Sequence, residues 1–244
     1  MAKLPKKLKH DAIVEALVEI RFEHKTVGEV VVGRLVAAAG WKDYHAVRLP
    51  VADLPAEFRD ANPDLRYQPI IQLQRPLPGE LMKIGSRVIS LHVLSPYPGW
   101  QSFRERILAL VEELYVAVPD LVIQRVGLRY INAITPGHGL KEISELNFDL
   151  AVAGTPASND LSITFRSKPN DDIQCQVMIA APSFVNGSVP SAVAYIDLDL
   201  STPKAFGTVS KDTVVSWIDA SHNFEKEAFF ALWPEEILEN LREE

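Results

Sequence analysis

The stretch Ser191-Ala192-Val193-Ala194-Tyr195-Ile196-Asp197-Leu198-Asp199-Leu200-Ser201 sets Ala192, Ala194, Ile196, Leu198 and Leu200 against Ser191, Val193, Tyr195, Asp197 and Asp199. Side chains of a strand point alternately to its two faces, so this period of two predicts a strand with one side on a core and the other toward water. Ile13–Glu23 repeats the pattern, with Val14, Ala16, Val18, Ile20 and Phe22 opposing Glu15, Glu19, Arg21 and Glu23. So does Leu121–Thr135, where Val122, Val126, Leu128 and Tyr130 oppose Arg125, Gly127 and Arg129.

Working outward, shorter strands are expected at Tyr67–Arg75, Leu81–Ile84, Val88–Leu94, Leu161–Lys168 and Asp172–Pro182. Turn chemistry separates them at Pro76-Leu77-Pro78-Gly79, Gly85-Ser86, Pro169-Asn170 and Asn186-Gly187. Helical spacing appears from Thr26, read as an N-cap, through Val27, Val30, Val31, Leu35 and Ala38 to Gly40. The strongest helix follows Gly99, with Trp100, Phe103, Ile107, Leu110, Val111 and Leu114 on one stripe, and ends at Pro119. A long C-terminal helix spans Lys211–Leu232, and Pro234 opens a last one over Glu235–Glu244. Short helical pieces are expected within Leu54–Asn62 and Leu140–Leu146.

The two halves, 1–119 and 120–244, share an element order of strand, helix or connection, three strands and long helix. Strands in hairpin groups with helices between them predict an α+β fold: a mainly antiparallel, continuous sheet with long helices packed on one face, in two β-α-βββ-α halves.

Composition narrows the function classes. With 244 residues, 47% hydrophobic and 23% charged, the chain is of ordinary globular make-up and large enough for a substantial core. A net charge of −7 argues against nucleic-acid binding driven by the overall field, although Lys3, Lys6, Lys7 and Lys9 form a local basic run read as solvated. No apolar run approaches the roughly 20 residues of a membrane span, and no apolar segment follows the basic N-terminus. One cysteine, Cys175, fits a reducing, cytoplasmic setting and reads as a packed core thiol.

No phosphate-binding loop, nucleophile elbow or zinc-protease motif is present, and the six histidines show no metal-ligand spacing, so neither metal nor cofactor is expected. Of the histidines, His222 stands out and is read as a helix-surface or interface residue rather than a general base. Period-two parity gathers Glu15, Glu19, Arg21, Arg125, Arg129, Asp197 and Asp199 on one polar sheet face, with Gln72, Gln74, Gln174 and Gln176 as neighbours. Two readings stand for that face: self-paired and solvated, or a surface for binding or oligomerisation.

The phrase Arg125-Val126-Gly127-Leu128-Arg129-Tyr130-Ile131-Asn132-Ala133-Ile134, with Tyr97-Pro98-Gly99-Trp100-Gln101-Ser102-Phe103 and Glu15–Phe22, resembles a sporadically distributed family of uncharacterised prokaryotic proteins of about this length. Patchy distribution implies a mobile-element, defence or toxin–antitoxin setting. The resemblance assigns no activity.

The expected function is non-enzymatic protein binding through the polar sheet face or the C-terminal helix, by a partner protein or a second copy in a homodimer, with Arg125, Arg129, Tyr130, Asn132, Asp197 and Asp199 as the binding residues. The rival is a hydrolase or nucleotide-processing enzyme using Asp197, Asp199, Arg125 and Arg129. A third reading is a nucleic-acid-binding saddle.

Overall fold

A computed structural model describes residues 8–75, 79–156 and 159–241. The basic positions Lys3, Lys6 and Lys7 and most of the Pro76–Gly79 turn lie outside the described residues.

The strands are β1 (Ile13–Glu23), β2 (His45–Arg48), β3 (Ile71–Arg75), β4 (Glu80–Ile84), β5 (Val88–Leu94), β6 (Val122–Ile134), β7 (Ala151–Val152), β8 (Thr155–Pro156), β9 (Ser162–Ser167), β10 (Gln174–Ala180) and β11 (Ala194–Ser201). The helices are α1 (Gly28–Val36), α2 (Ala56–Ala61), α3 (Trp100–Ala117), α4 (Lys211–Ala231) and α5 (Glu235–Leu241). Nine strands form one sheet in the order β2-β3-β4-β5-β1-β6-β11-β10-β9, while β7 and β8 make a separate two-stranded ribbon. All pairings are antiparallel, so the chain has the expected α+β architecture.

The order follows a simple rule. In each half the opening strand pairs with the last strand of the hairpin group, β1 with β5 and β6 with β11. The two opening strands then pair with each other through the middle of the sheet.

Helices α1, α3 and α4 share one face: α3 meets β5, α4 meets β6 and β11, and α1 meets β4 and α3. Beneath them the alternation of β1 buries Ala16, Val18, Ile20 and Phe22 completely. The α3 stripe supplies Phe103, Ile107, Leu110 and Leu114, each removed from water and each worth about 2 kcal/mol of transfer free energy. Glu80, 3% exposed, accepts from Arg106 at 2.9 and 3.0 Å and from Tyr44, which ties β4 to α3.

The β7–β8 ribbon was not expected from the sequence, and the structure departs from the reading elsewhere too. Val27, not Thr26, occupies the N-cap of α1, and no side chain caps that end. The third strand begins at Ile71 because Tyr67 turns away to donate its hydroxyl to Glu23. An edge strand, β2, forms at His45–Arg48, where four mostly exposed residues carry no alternation to announce it. Between Arg21 and Phe22 the β1–β6 register shifts, so Ile123 rather than Val122 points into the core.

Candidate functional site

The residues singled out from the sequence divide between the two faces of the sheet. Arg125, Arg129, Asp197 and Asp199 lie together on the face opposite the helices. Arg129 and Asp199 sit directly across the β6–β11 ladder, yet Arg129 reaches diagonally to Asp197, with Nε donating to Oδ1 at 2.8 Å and Nη2 to Oδ2 at 2.5 Å. Such a two-pronged contact suits the guanidinium fork. Arg125 donates to Glu19 at 3.2 Å and to Asp199 at 3.3 Å, and Glu19 also accepts from Arg21 at 2.7 Å.

Gly127 makes this lattice possible. A Cβ on that residue would stand 2.6 Å from Nη1 of Arg125, so the missing side chain is the space across which the guanidinium lies. Farther along, His92 and Glu15 are joined at 2.6 Å, and His92 also contacts Ser90. The bond with His92 holds the Glu15 carboxyl below its usual range, with help from the charges of His92, Lys83 and Arg129. Burial raises Asp199, as do the neighbouring acids Asp197 and Glu19, against the pull of Arg125 and Arg129. Gln174 bonds Ser201 and Gln176 bonds Arg166, while Gln72 and Gln74 bond each other on β3.

Tyr130 and Asn132 point the other way. They were grouped with the arginines because they belong to one phrase, but their parity puts them on the helix side, where they are 1% and 2% exposed. Both line a cavity of about 310 Å³ between β6, the start of α3, the segment before β1, and α4. Ala12 and Ile13 form one wall and Tyr97 and Trp100 another; α4 contributes His222, Glu225, Phe229 and Phe230.

The polar groups of this cavity form a short chain. Tyr97 and Tyr130 hydroxyls lie 3.5 Å apart, and the Tyr130 hydroxyl is 3.2 Å from Nδ1 of His222. The His222 ring stacks on Trp100 with centroids 3.8 Å apart and planes 11° from parallel. Asn132 donates to the Ile196 carbonyl at 3.2 Å. His222 is therefore a half-buried residue of the interface between α4 and α3, one of the two positions expected for it. Burial and the nearby Lys226 push it down to about 4, with Asp219 opposing, so the ring is neutral at neutral pH.

Glu225 completes the site. It is 6% exposed, and among the described residues it has no hydrogen-bond partner. Burial pushes its carboxyl up to about 8, only partly offset by Lys226, so it is chiefly protonated at pH 7. No protein-family model matches the chain, and no curated protein matches it.

Sequence reasoning missed Glu225, although a signal was present. The buried stripe of α4 runs Val214, Trp217, Ile218, Ser221, Glu225, Phe229, so two polar residues stand where helical spacing calls for apolar ones. A polar residue at a core position marks either a satisfied network or a site. Chemically, the cavity combines aromatic walls with a carboxylic acid, a neutral imidazole and phenol hydroxyls, which suits recognition of one polar end on a compact apolar molecule.

Proposed function

We propose that this chain is a non-enzymatic binding protein that encloses a small organic molecule in the cavity between β6, α3 and α4. The observation that carries the reading is Glu225: a carboxyl withdrawn from water, without a hydrogen bond among the described residues, beside a cavity of about 310 Å³. Its carboxyl borders the cavity with bonding capacity unused by the described residues, open to an incoming polar atom. The rival enzyme on the open face receives less support, because the guanidinium groups of Arg129 and Arg125 already engage Asp197 and Asp199. A nucleic-acid saddle needs a row of uncompensated cations, and both arginines there are paired.

The test uses the cavity wall. Ala12 is 3% exposed and lines the cavity, so Ala12→Phe fills it. Small aromatic and aliphatic probes are expected to raise the melting temperature of the native protein and to change Trp100 emission, and Ala12→Phe to abolish both responses. Equal responses in the two proteins would overturn the reading.

A second reading, contact with a protein partner or a second copy, is favoured by the free edge of β9. Phe165 on that strand is 48% exposed beside an apolar groove formed with Phe224, Ala228 and Leu232. Of the two expected contact surfaces it favours the C-terminal helix, together with the sheet edge, over the charge-paired face. Light scattering of the native chain and of Phe165→Glu tests it: a dimer that Phe165→Glu converts to monomer is expected, and a monomer at all concentrations overturns it. Among the described residues no helix is long and apolar enough to cross a membrane. A cytoplasmic setting belongs to the same proposal, supported by the lone buried Cys175. So does the defence-linked context, supported by the family resemblance alone.

A further inference from the structure

The ligand class follows from how the cavity distributes charge. Aromatic rings present electron-rich faces, and Tyr97, Trp100, Tyr130, Phe229 and Phe230 all contribute to the wall. Two carboxyl groups, Asp11 and Glu225, line the cavity against one ammonium, that of Lys226. Glu225 is the group withdrawn from water, and no described residue forms a hydrogen bond with it. A carboxyl withdrawn from water among aromatic faces is an arrangement that recognises an organic cation.

We propose that the cavity binds a small primary or secondary amine with an apolar body, its ammonium group paired with the carboxylate of Glu225 and its body held by the surrounding rings. This rests on the reading of the cavity as the ligand site. A carboxyl that is protonated in the free protein must ionise to pair with an ammonium ion. Because the amine arrives from water already protonated, the Glu225 proton leaves to solvent, and each binding event releases about one proton at pH 7. Of the other titratable groups facing the cavity, His222 is already neutral and the Tyr97 and Tyr130 hydroxyls are held well above their usual range by burial; Lys226 and Asp11 also line it.

Calorimetry with three probes of matched shape tests this: hexylamine, 1-hexanol and hexanoate, each titrated at pH 7 in buffers of different ionisation enthalpy. Hexylamine is expected to bind at least about tenfold more tightly than the other two and to release about one proton. In Glu225→Gln the amine is expected to lose at least about tenfold in affinity and the proton release, a larger loss than hexanol shows. Equal binding of amine and alcohol without proton release, or tighter binding of hexanoate, overturns the amine assignment. Hexanol binding that Ala12→Phe removes would then leave the cavity reading standing. Failure of all three probes to bind the native protein overturns both. Should Glu225→Gln not fold, proton release by the native protein decides alone.

Discussion

Asp197 and Glu225 are equally withdrawn from water, each 6% exposed, yet they stand in opposite electrostatic circumstances. Asp197 on β11 receives both prongs of the Arg129 guanidinium. Glu225 on α4 receives no hydrogen bond from any described residue and stays protonated instead. A buried acid can be accommodated by pairing its charge or by giving it up, and this protein does one on each side of the same sheet. Pairing spends the group's bonding capacity within the fold. Protonation leaves that capacity open, which is why the helix side, and not the more highly charged open face, is the better candidate for recognition.

The largest effect that would break this contrast is a pH dependence. Glu225 titrates near 8 when folded, against 4.5 as its ordinary value, so the folded chain holds its proton more tightly. Its contribution is complete below pH 4.5 and is lost as pH rises toward 8, by about a tenfold change in the folding constant per pH unit. His222, lowered from 6.5 to about 4, has the opposite sign: its contribution is present above pH 6.5 and is lost as pH falls through 4. The two slopes oppose each other between 4.5 and 6.5, and Glu225 acts alone above that. Glu225→Gln is expected to remove the alkaline loss, gaining about 4 kcal/mol over the native chain by pH 8 in urea unfolding curves. Parallel curves for the two proteins would show that Glu225 is ionised in the free fold.

Next in size is the paired acid. Asp197→Ala leaves Arg129 without its two-pronged partner across the β6–β11 ladder, and a loss of about 2 kcal/mol is expected at neutral pH, moderated because Arg129 is 40% exposed. A loss below about 0.5 kcal/mol would mean that water replaces the pair freely.

Tyr130→Phe removes the hydroxyl between Tyr97 and His222 and is expected to cost about 1 kcal/mol. It also frees Nδ1 of His222, so the histidine titration followed by NMR should move, while Asp197 and Arg129 on the other face should not respond. Smallest is Gly127→Ala. The new methyl displaces only the flexible end of Arg125, and about 0.5 kcal/mol should disappear with the contacts to Glu19 and Asp199.

Much of the fold was legible. The alternation in β1, β6 and β11 assigned Arg125, Arg129, Asp197 and Asp199 to one face because a strand's period of two leaves no freedom once the register holds. Tyr130 and Asn132 were named as binding residues beside the arginines, although the alternation already set Tyr130 on the opposite face. Ile123 was not legible in the same way, since a bulge interrupts parity without marking the sequence. Nor was β2, whose four residues gain their strand identity from pairing with β3 and not from a pattern of their own. Glu225 escaped because a helix stripe is read for its apolar members, and the polar exception inside it was passed over.

The central β1–β6 ladder carries a consequence for synthesis. Glu19 and Arg125, which meet across it, are 106 positions apart in the chain. At translation rates of roughly 5–20 residues per second, β1 emerges about 5–20 s before the strand that must lie beside it. During that interval its partner on the other flank, β5, can already be in place, but one row of backbone donors and acceptors has only water. The nascent first half is thus an unfinished sheet with a sticky margin, and the emergence of β6 is what seals it.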